Sequence, residues 1–369
     1  MGVATSAVVI SLVALGACGD ASPPSHGTIP VLYSTDLHHP HQDPDDHFDL
    51  ATLFALPEFD VRGILLDCGA RQLAQPGKIP VEQMAHLTGR DVRHAIGLES
   101  PLRSPADDGR DQPARCQKGV ALILDVLRQA DEKVTIFTTG SLRDVAAALN
   151  REPELFRHKV RRLYVNIGDS GAAGGGQEYN VKLDTASYVR VLRSGLPVYW
   201  CPCFDGGVWK RQRGYATYWR FVHEEVLETA PQRLQNWFIF ALVKPDADPI
   251  AFLSRAQEPA VRRRVWSMPR NMWCTAPFLH AAGRDVVEPS TGRWVARPAD
   301  RESQNVTTPY AFVPARVTVD DKARATLHLD ETAQGEAVHV FKILDQANYD
   351  KIMASCLREL LAGLRIADR

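Results

Sequence analysis

The chain has 369 residues, 45% of them hydrophobic, which is enough to bury a large core. Its 43 basic and 44 acidic side chains leave a formal net charge of −1. A balance this close provides no global field to draw in nucleic acid or an anionic membrane surface as partner.

In chain order, Val3 to Ala17 is apolar, too short and too early for an ordinary membrane span, and ends at Leu15-Gly16-Ala17-Cys18 before a Ser/Pro-rich linker. Residues 1–28 therefore read as an export signal and linker, with 29–369 as the folded domain. The signal resembles that of a bacterial lipoprotein, with Cys18 as the site of a lipid anchor, the only membrane contact expected. Periplasmic or membrane-anchored placement follows; a plain secretory signal, or a cytoplasmic leader created by a start-site error, would explain the same text. Six further cysteines, Cys68, Cys116, Cys201, Cys203, Cys274 and Cys356, permit disulfides without a spacing that fixes a framework.

Ile29 to Tyr33 reads as a buried strand. It leads into a loop carrying Asp36, Asp43, Asp45 and Asp46, and then into Phe48, Leu50, Ala51, Leu53, Phe54 and Leu56 at helical spacing. A loop at the C-terminal end of a parallel strand aims several carboxylates at one point, and like charges so close need a cation or a proton. Hard oxygen ligands of this kind suit calcium or magnesium. The plainer reading is that Asp45 and Asp46 are helix N-terminal acids favoured by the macrodipole.

Val61 to Leu66 is a second strand, Ile79 to Leu87 a helix, Arg93 to Ile96 a short strand and Ser104 to Lys118 an exposed loop. Val134 to Thr138 is a β-branched strand that turns at Thr139-Gly140 into a helix over Val145 to Leu149. Val160 to Ile167 and Leu196 to Cys201 read as further strands, with the glycine-rich Gly168 to Asn180 after the first of them and Trp209 after the second. Tyr215 to Leu242 reads as mostly helical. The tail gives strands at Arg316 to Val319, Thr326 to Leu329 and Val338 to Leu344, then a helix over Tyr349 to Leu364. Alternating strand and helix predict an α/β fold: a doubly wound, mostly parallel sheet with helices on both faces and a small C-terminal strand and helix extension.

Four motifs share one resemblance. Thr35-Asp36, then Asp43-Pro44-Asp45-Asp46 and an apolar helix, resemble the Asp-x-Asp-Pro-Gly-x-Asp-Asp signature of the inosine/uridine-preferring nucleoside hydrolases. Here the loop is longer, with His38, His39, His41 and Asp43 in the extra length, and Ser34 stands where the family's first aspartate usually stands. Thr139-Gly140-Ser141-Leu142 is similar to the family's Thr-Gly-Pro-Leu turn. Glu178-Tyr179-Asn180 with Asp184 is similar to its Glu-Phe-Asn-x-x-x-Asp. Asp248-Pro249-Ile250-Ala251 matches its His-Asp-Pro-x-Ala element, except that Ala247 takes the histidine's place.

The resemblance implies a calcium ion, or another divalent metal, held by Asp36, Asp46, Thr139 and Asp248. Asp36 would also be the general base, with Asp45, Glu178 and Asn180 on the ribose hydroxyls. It implies hydrolysis of the N-glycosidic bond of a ribonucleoside or related ribosyl compound, and a homo-oligomer. Absent are the first aspartate, the ribose asparagine expected near Gly69-Ala70-Arg71, a second ribose asparagine before Glu178, and the histidine that protonates the leaving base. The apolar, aromatic segment Asn271 to His280 is a candidate pocket wall with His280 as a replacement acid, a buried histidine satisfied by a backbone carbonyl being the commoner case. Trp209 is a candidate to stack on a nucleobase, core packing or a surface plug being the commoner role of a tryptophan. The alternative function is a catalytically altered sugar- or nucleoside-binding protein on the same fold.

Overall fold

A computed structural model describes residues 28–39, 44–67, 70–171, 178–288, 292–300 and 305–368. The expected leader with Cys18, the loop residues His41 and Asp43, Cys68-Gly69 and Gly174 to Gln177 lie outside them. The first six strands are β1 (Ile29–Thr35), β2 (Phe59–Leu66), β3 (His94–Ile96), β4 (Val134–Thr138), β5 (Val160–Asn166) and β6 (Val198–Cys201). All pair in parallel, in the order β3-β2-β1-β4-β5-β6.

Four short strands follow outside this sheet: β7 (Trp219–Val222), β8 (Pro269–Met272), β9 (Arg284–Val287) and β10 (Val295–Pro298), with β11 (Val306–Thr307) paired to β9. The chain then returns through β12 (Tyr310–Val319), β13 (Ala325–His328) and β14 (Glu336–Ile343). β14 lies parallel to β6, while β12 is antiparallel to both β13 and β14, so the sheet reaches nine strands.

Strand order reverses direction between β1 and β4, because the chain winds outward through β2 and β3 and then re-enters beside β1. At such a switch point the loops leaving two neighbouring strands part in opposite directions, opening a crevice at the strand C-termini. Asp36 leaves β1 there, and Thr139 leaves β4 with its N–H on the Ser34 carbonyl at 2.9 Å.

Apolar residues of β1, β2, β4 and β5 fall on both faces, as expected where helices cover each side. One face is packed by helices Asp45–Ala55, Lys78–Thr88, Gln232–Val243, Thr275–Ala281 and Tyr349–Ala362, around Phe48, Phe137, Trp237 and Phe278. The other is packed by Lys118–Gln129, Arg143–Arg151 and Thr185–Leu192, around Ile123, Val145, Leu163 and Trp200. The expected helix over Tyr215 to Leu242 is corrected at its start. Trp219–Val222 is a strand paired antiparallel with Pro269–Met272, and helix begins only at His223. Alternating buried Trp219 and Phe221 with exposed Arg220 carries the period of a strand, which an amphipathic reading of a longer window hides. The cysteines among the described residues, Cys116, Cys201, Cys203, Cys274 and Cys356, are all free and buried.

A buried polar network holds the turns on the far side of the crevice. Asp144 accepts from the Leu98 N–H at 2.8 Å, and Arg143, itself buried, pairs with Asp184 at 3.1 Å and donates to the Leu98 carbonyl. A side chain at Gly97 would collide with the Asp144 carboxylate, so glycine is required at this close approach. Burial, then the charge of Asp67, raises the Asp144 carboxyl to about 7. Its proton is thus retained in the fold over a range in which the unfolded chain has already ionised. Stability is undiminished by this group below about pH 4, falls as pH rises toward 7, and is flat above. Asp144→Asn keeps the acceptor for Leu98 and is expected to flatten that slope, raising the melting temperature at pH 8 relative to the parent more than at pH 4.5; thermal melts at the two pH values read it out.

Candidate active site

The crevice at the switch point is a cleft of about 470 Å3. Its floor is built by the loop after β1 and the first turns of helix Asp45–Ala55. Thr35 Oγ1 donates to Asp46 at 2.6 Å, and Thr139 Oγ1 donates to the same Asp46 oxygen at 2.8 Å. Tyr33 Oη stands 3.1 Å from Thr139 Oγ1 behind them. Gly140 lets the β4 turn approach this point, since a Cβ there would meet Asp67 Oδ2 at 2.7 Å and the Asp36 Cβ at 2.9 Å. Gln72 donates to the Asp36 carbonyl at 2.7 Å and fixes the loop from the other side.

Asp36, Asp45, Asp46 and Asp49 all line this cleft. Burial, and then the charge of Asp46 beside it, hold the Asp36 carboxyl well above the usual carboxylate range. Burial raises Asp46 as well, against the opposing hydrogen bonds from Asp36, Thr35 and Thr139. Two carboxylates in hydrogen-bond contact share a proton unless a cation replaces it. The donor chemistry, carboxylates plus the Thr139 hydroxyl, is that of a hard divalent cation. As placed, no three His, Cys, Asp or Glu groups among the described residues surround one common point. Asp36, Asp46 and Thr139 are nevertheless the residues whose oxygens fit such an ion.

The walls present acceptors with nothing of the protein on them. Asn166 Oδ1, Asn180 Oδ1, Gln72 Oε1 and Asp49 Oδ1 are buried, without a hydrogen-bond partner, and belong to side chains that line the cleft. Buried oxygens left unpaired are costly. Their convergence on one cavity marks where a polar ligand supplies the missing donors.

Above them the cleft is aromatic. Phe204 and Trp209 meet edge to face at 5.3 Å, and Trp209 and Trp273 lie 6.1 Å apart, with Tyr218 behind both. Trp273 is fixed by donation from Nε1 to the Cys203 carbonyl at 3.1 Å. Trp209 has φ 62 and is 52% exposed. Asp169 ties the turn before it by accepting from the N–H groups of Gly206 and Gly207 at 2.9 and 2.7 Å. An exposed indole on a left-handed backbone is costly for packing alone and is the kind of strain found at ligand sites.

The profile described as "Inosine-uridine preferring nucleoside hydrolase" matches residues 33–259, more than half of the chain. The chain belongs to this family. It is similar to the pyrimidine-specific ribonucleoside hydrolase RihA of Citrobacter koseri, 31% identical over 189 residues, which is 46% of this chain and 58% of that protein. RihA of an Enterobacter species is 27% identical over 188 residues, with the same coverage of each chain. The match thus spans little more than half the length of these curated relatives. Among solved structures, a plant nucleoside hydrolase, PpNRh1, shares the fold at TM-score 0.54 and 14% identity, over 91% of this chain and 99% of that one. An inosine-guanosine nucleoside hydrolase does so at TM-score 0.50 and 16% identity, over 90% and 98%.

In this nucleoside hydrolase family member the structure brings Asp36, Asp45, Asp46, Thr139, Glu178 and Asn180 into one cleft. Asp248 is a correction. It is exposed, does not line the cleft, and its carboxylate accepts from the Ala251 N–H at 2.7 Å as the N-cap of Pro249–Phe252. Asp-Pro is as good a helix start as a ligand motif, and here the capping role holds. His280 does not line the cleft: it is a histidine satisfied within the fold, its Nδ1 2.8 Å from the Tyr164 hydroxyl rather than on a backbone carbonyl, and it lines a different surface pocket. Trp209 does line the cleft. Missed in the sequence were Asp49, Gln72 and Asn166, whereas Trp273 lies in the segment expected at the pocket wall and does line the cleft. Gln72 stands just past the expected asparagine position, and Asn166 is a polar residue ending an apolar strand; both signals were legible.

Glu178 carries a structural load beside any ligand. Its carboxylate accepts from the N–H groups of Gly168, Asn180 and Val181 at 3.0, 2.9 and 3.2 Å, capping helix Tyr179–Leu183. Burial raises its carboxyl, and these bonds oppose the rise. Glu178→Ala is expected to cost about 1–3 kcal/mol of stability through the lost cap and the stranded N–H groups, whereas Glu178→Gln retains most of it; denaturant melts separate the two variants.

Proposed function

We propose that the protein hydrolyses the N-glycosidic bond of a ribonucleoside or related ribosyl compound, with a divalent cation, calcium by preference, at the cleft floor. The observation that carries this reading is one cleft with acids below, unpartnered amide oxygens at the sides and an indole wall above. Acids suit a cation and a developing positive charge, amides suit sugar hydroxyls, and indoles suit a planar base.

Asp36 would take the proton of the attacking water. Its pairing with Asp46 supports this role, since a cation held by Asp46 would lie beside Asp36 and would supply the counter-charge that its ionisation needs. When bound, the cation would lower the pKa of water and anchor ribose hydroxyls; Asp36 and Asp46 would hold it, with Thr139. Asn180, Asn166, Gln72 and Asp45 would orient the sugar, and clustered carboxylates would stabilise the oxocarbenium-like ring as the bond to the base lengthens. Trp209 and Trp273 would grip the base and keep water from that side.

No imidazole stands on the aromatic side of the cleft among the described residues, since His38, on the loop after β1, is the one histidine lining it. That observation favours a second reading, in which the site binds a nucleoside or ribose without turning it over. Export to the periplasm or anchoring at Cys18 is proposed on the leader sequence alone, and a homo-oligomer on the family resemblance.

Base release from a panel of purine and pyrimidine ribonucleosides, followed by chromatography, decides between the readings. Turnover of at least one nucleoside, lost on chelation and reduced about 10³-fold or more by Asp46→Ala, supports hydrolysis. Calorimetric binding with no base released across the panel supports the second reading. Trp209→Ala is expected to raise KM by about tenfold through the lost stacking, with a smaller change in kcat.

A further inference from the structure

Asp248 leaves the proposed cation short of a carboxylate, and the structure offers another. Asp49 sits one turn after Asp46 on helix Asp45–Ala55, and residues three apart on a helix share a face. It is 3% exposed and lines the same cleft as Asp36 and Asp46. Its neighbours in the chain, Phe48 and Leu50, belong to the apolar core, so a carboxylate here is out of place by packing.

The Asp49 carboxylate lies against the Cys274 thiol, and its Oδ1 is buried without a hydrogen-bond partner. Cys274 is also in the cleft wall, directly before helix Thr275–Ala281, and its neighbour Trp273 forms part of the aromatic wall. Neither lysine nor arginine is among the groups acting on Asp49. A desolvated carboxylate with one unpartnered oxygen, facing a cavity that already holds Asp36, Asp45 and Asp46, needs a counter-charge from that cavity.

We propose that Asp49 is the third carboxylate ligand of the divalent cation, supplied from the helix rather than from the Asp-Pro step at 248. This rests on the reading of the cleft as a cation site. Cation binding replaces the Asp36–Asp46 contact and draws Asp49 off Cys274. The ligand set then comes from one short segment, Asp36 to Asp49, with Thr139 across the switch point. The set is all hard oxygen, with the Cys274 thiol left outside it, so manganese is expected to bind as well as calcium.

The test is calcium and manganese titration calorimetry on the full chain, with thermal melts in chelator and in metal. Asp49→Asn is expected to weaken calcium binding about 10- to 100-fold and to remove the metal-induced rise in melting temperature, while Asp248→Asn leaves both unchanged. A double variant, Asp49→Ala with Cys274→Asp, is expected to recover binding, because a carboxylate at 274 reaches the place that Asp49 leaves; this reads out even if Asp49→Asn folds poorly.

Asp46→Asn separates the two claims. If it abolishes binding while Asp49→Asn binds as tightly as the parent, the inference is overturned and the cation site stands. Normal calcium affinity in Asp49→Asn with weakened nucleoside binding would likewise overturn it, making Asp49 a sugar acceptor. If the parent chain binds neither metal, both the inference and the cation site fall.

Discussion

Everything at the switch point depends on one electrostatic constraint: carboxylates packed too closely to ionise together in a buried place. Asp36 and Asp46 touch, Asp49 lies one helical turn on, and the fold invests hydroxyls from Thr35 and Thr139 in fixing Asp46. Acids placed for packing or solubility alone would point to water. Here they are held in a cavity, where their repulsion becomes a preference for positive charge.

The same constraint gives the surrounding residues their meaning. Parallel strands β1 and β4 deliver Asp36 and Thr139 to the same level because their registers run together, Ser34 opposite Thr138. Gly140 removes the Cβ that would keep the second loop away from the first. Behind them, Asp67 accepts from the Ser141 N–H at 2.6 Å and from its hydroxyl at 2.9 Å, so the β4 turn is locked to the β2 strand end as well. Rigid strand ends carry the acids, while the aromatic wall comes from later, longer connections, which is where a family varies the part of a ligand it grips.

Much of this was legible in the chain. The strand, acidic loop and apolar helix around Asp36 to Leu56 carried the alternation of an α/β fold and the acids that line the cleft floor, because the pattern is local. Asp248 misled because a short motif was matched without its structural context: Asp-Pro serves equally as a helix cap, and only tertiary packing tells which. Asp49 was hidden for the opposite reason. A lone acid within an apolar helix reads as the solvent-facing position, and only the placement of that helix against the cleft reveals that Asp49 faces inward. Trp273 was legible as part of an apolar, aromatic segment suited to a pocket wall, though not the pairing of β7 with β8 that carries it there, which joins residues about fifty apart. Gln72 and Asn166 stood in plain view beside places where the family pattern appeared broken.

A crystal structure of the full chain grown in calcium and soaked with ribose tests the central claim most directly. The account predicts a single cation with oxygens of Asp36 and Asp46 in its shell and the sugar hydroxyls turned toward Asn166 and Asn180. Sugar bound in that cleft with the two aspartates still joined to each other and no cation beside them, under calcium-replete conditions, would contradict it.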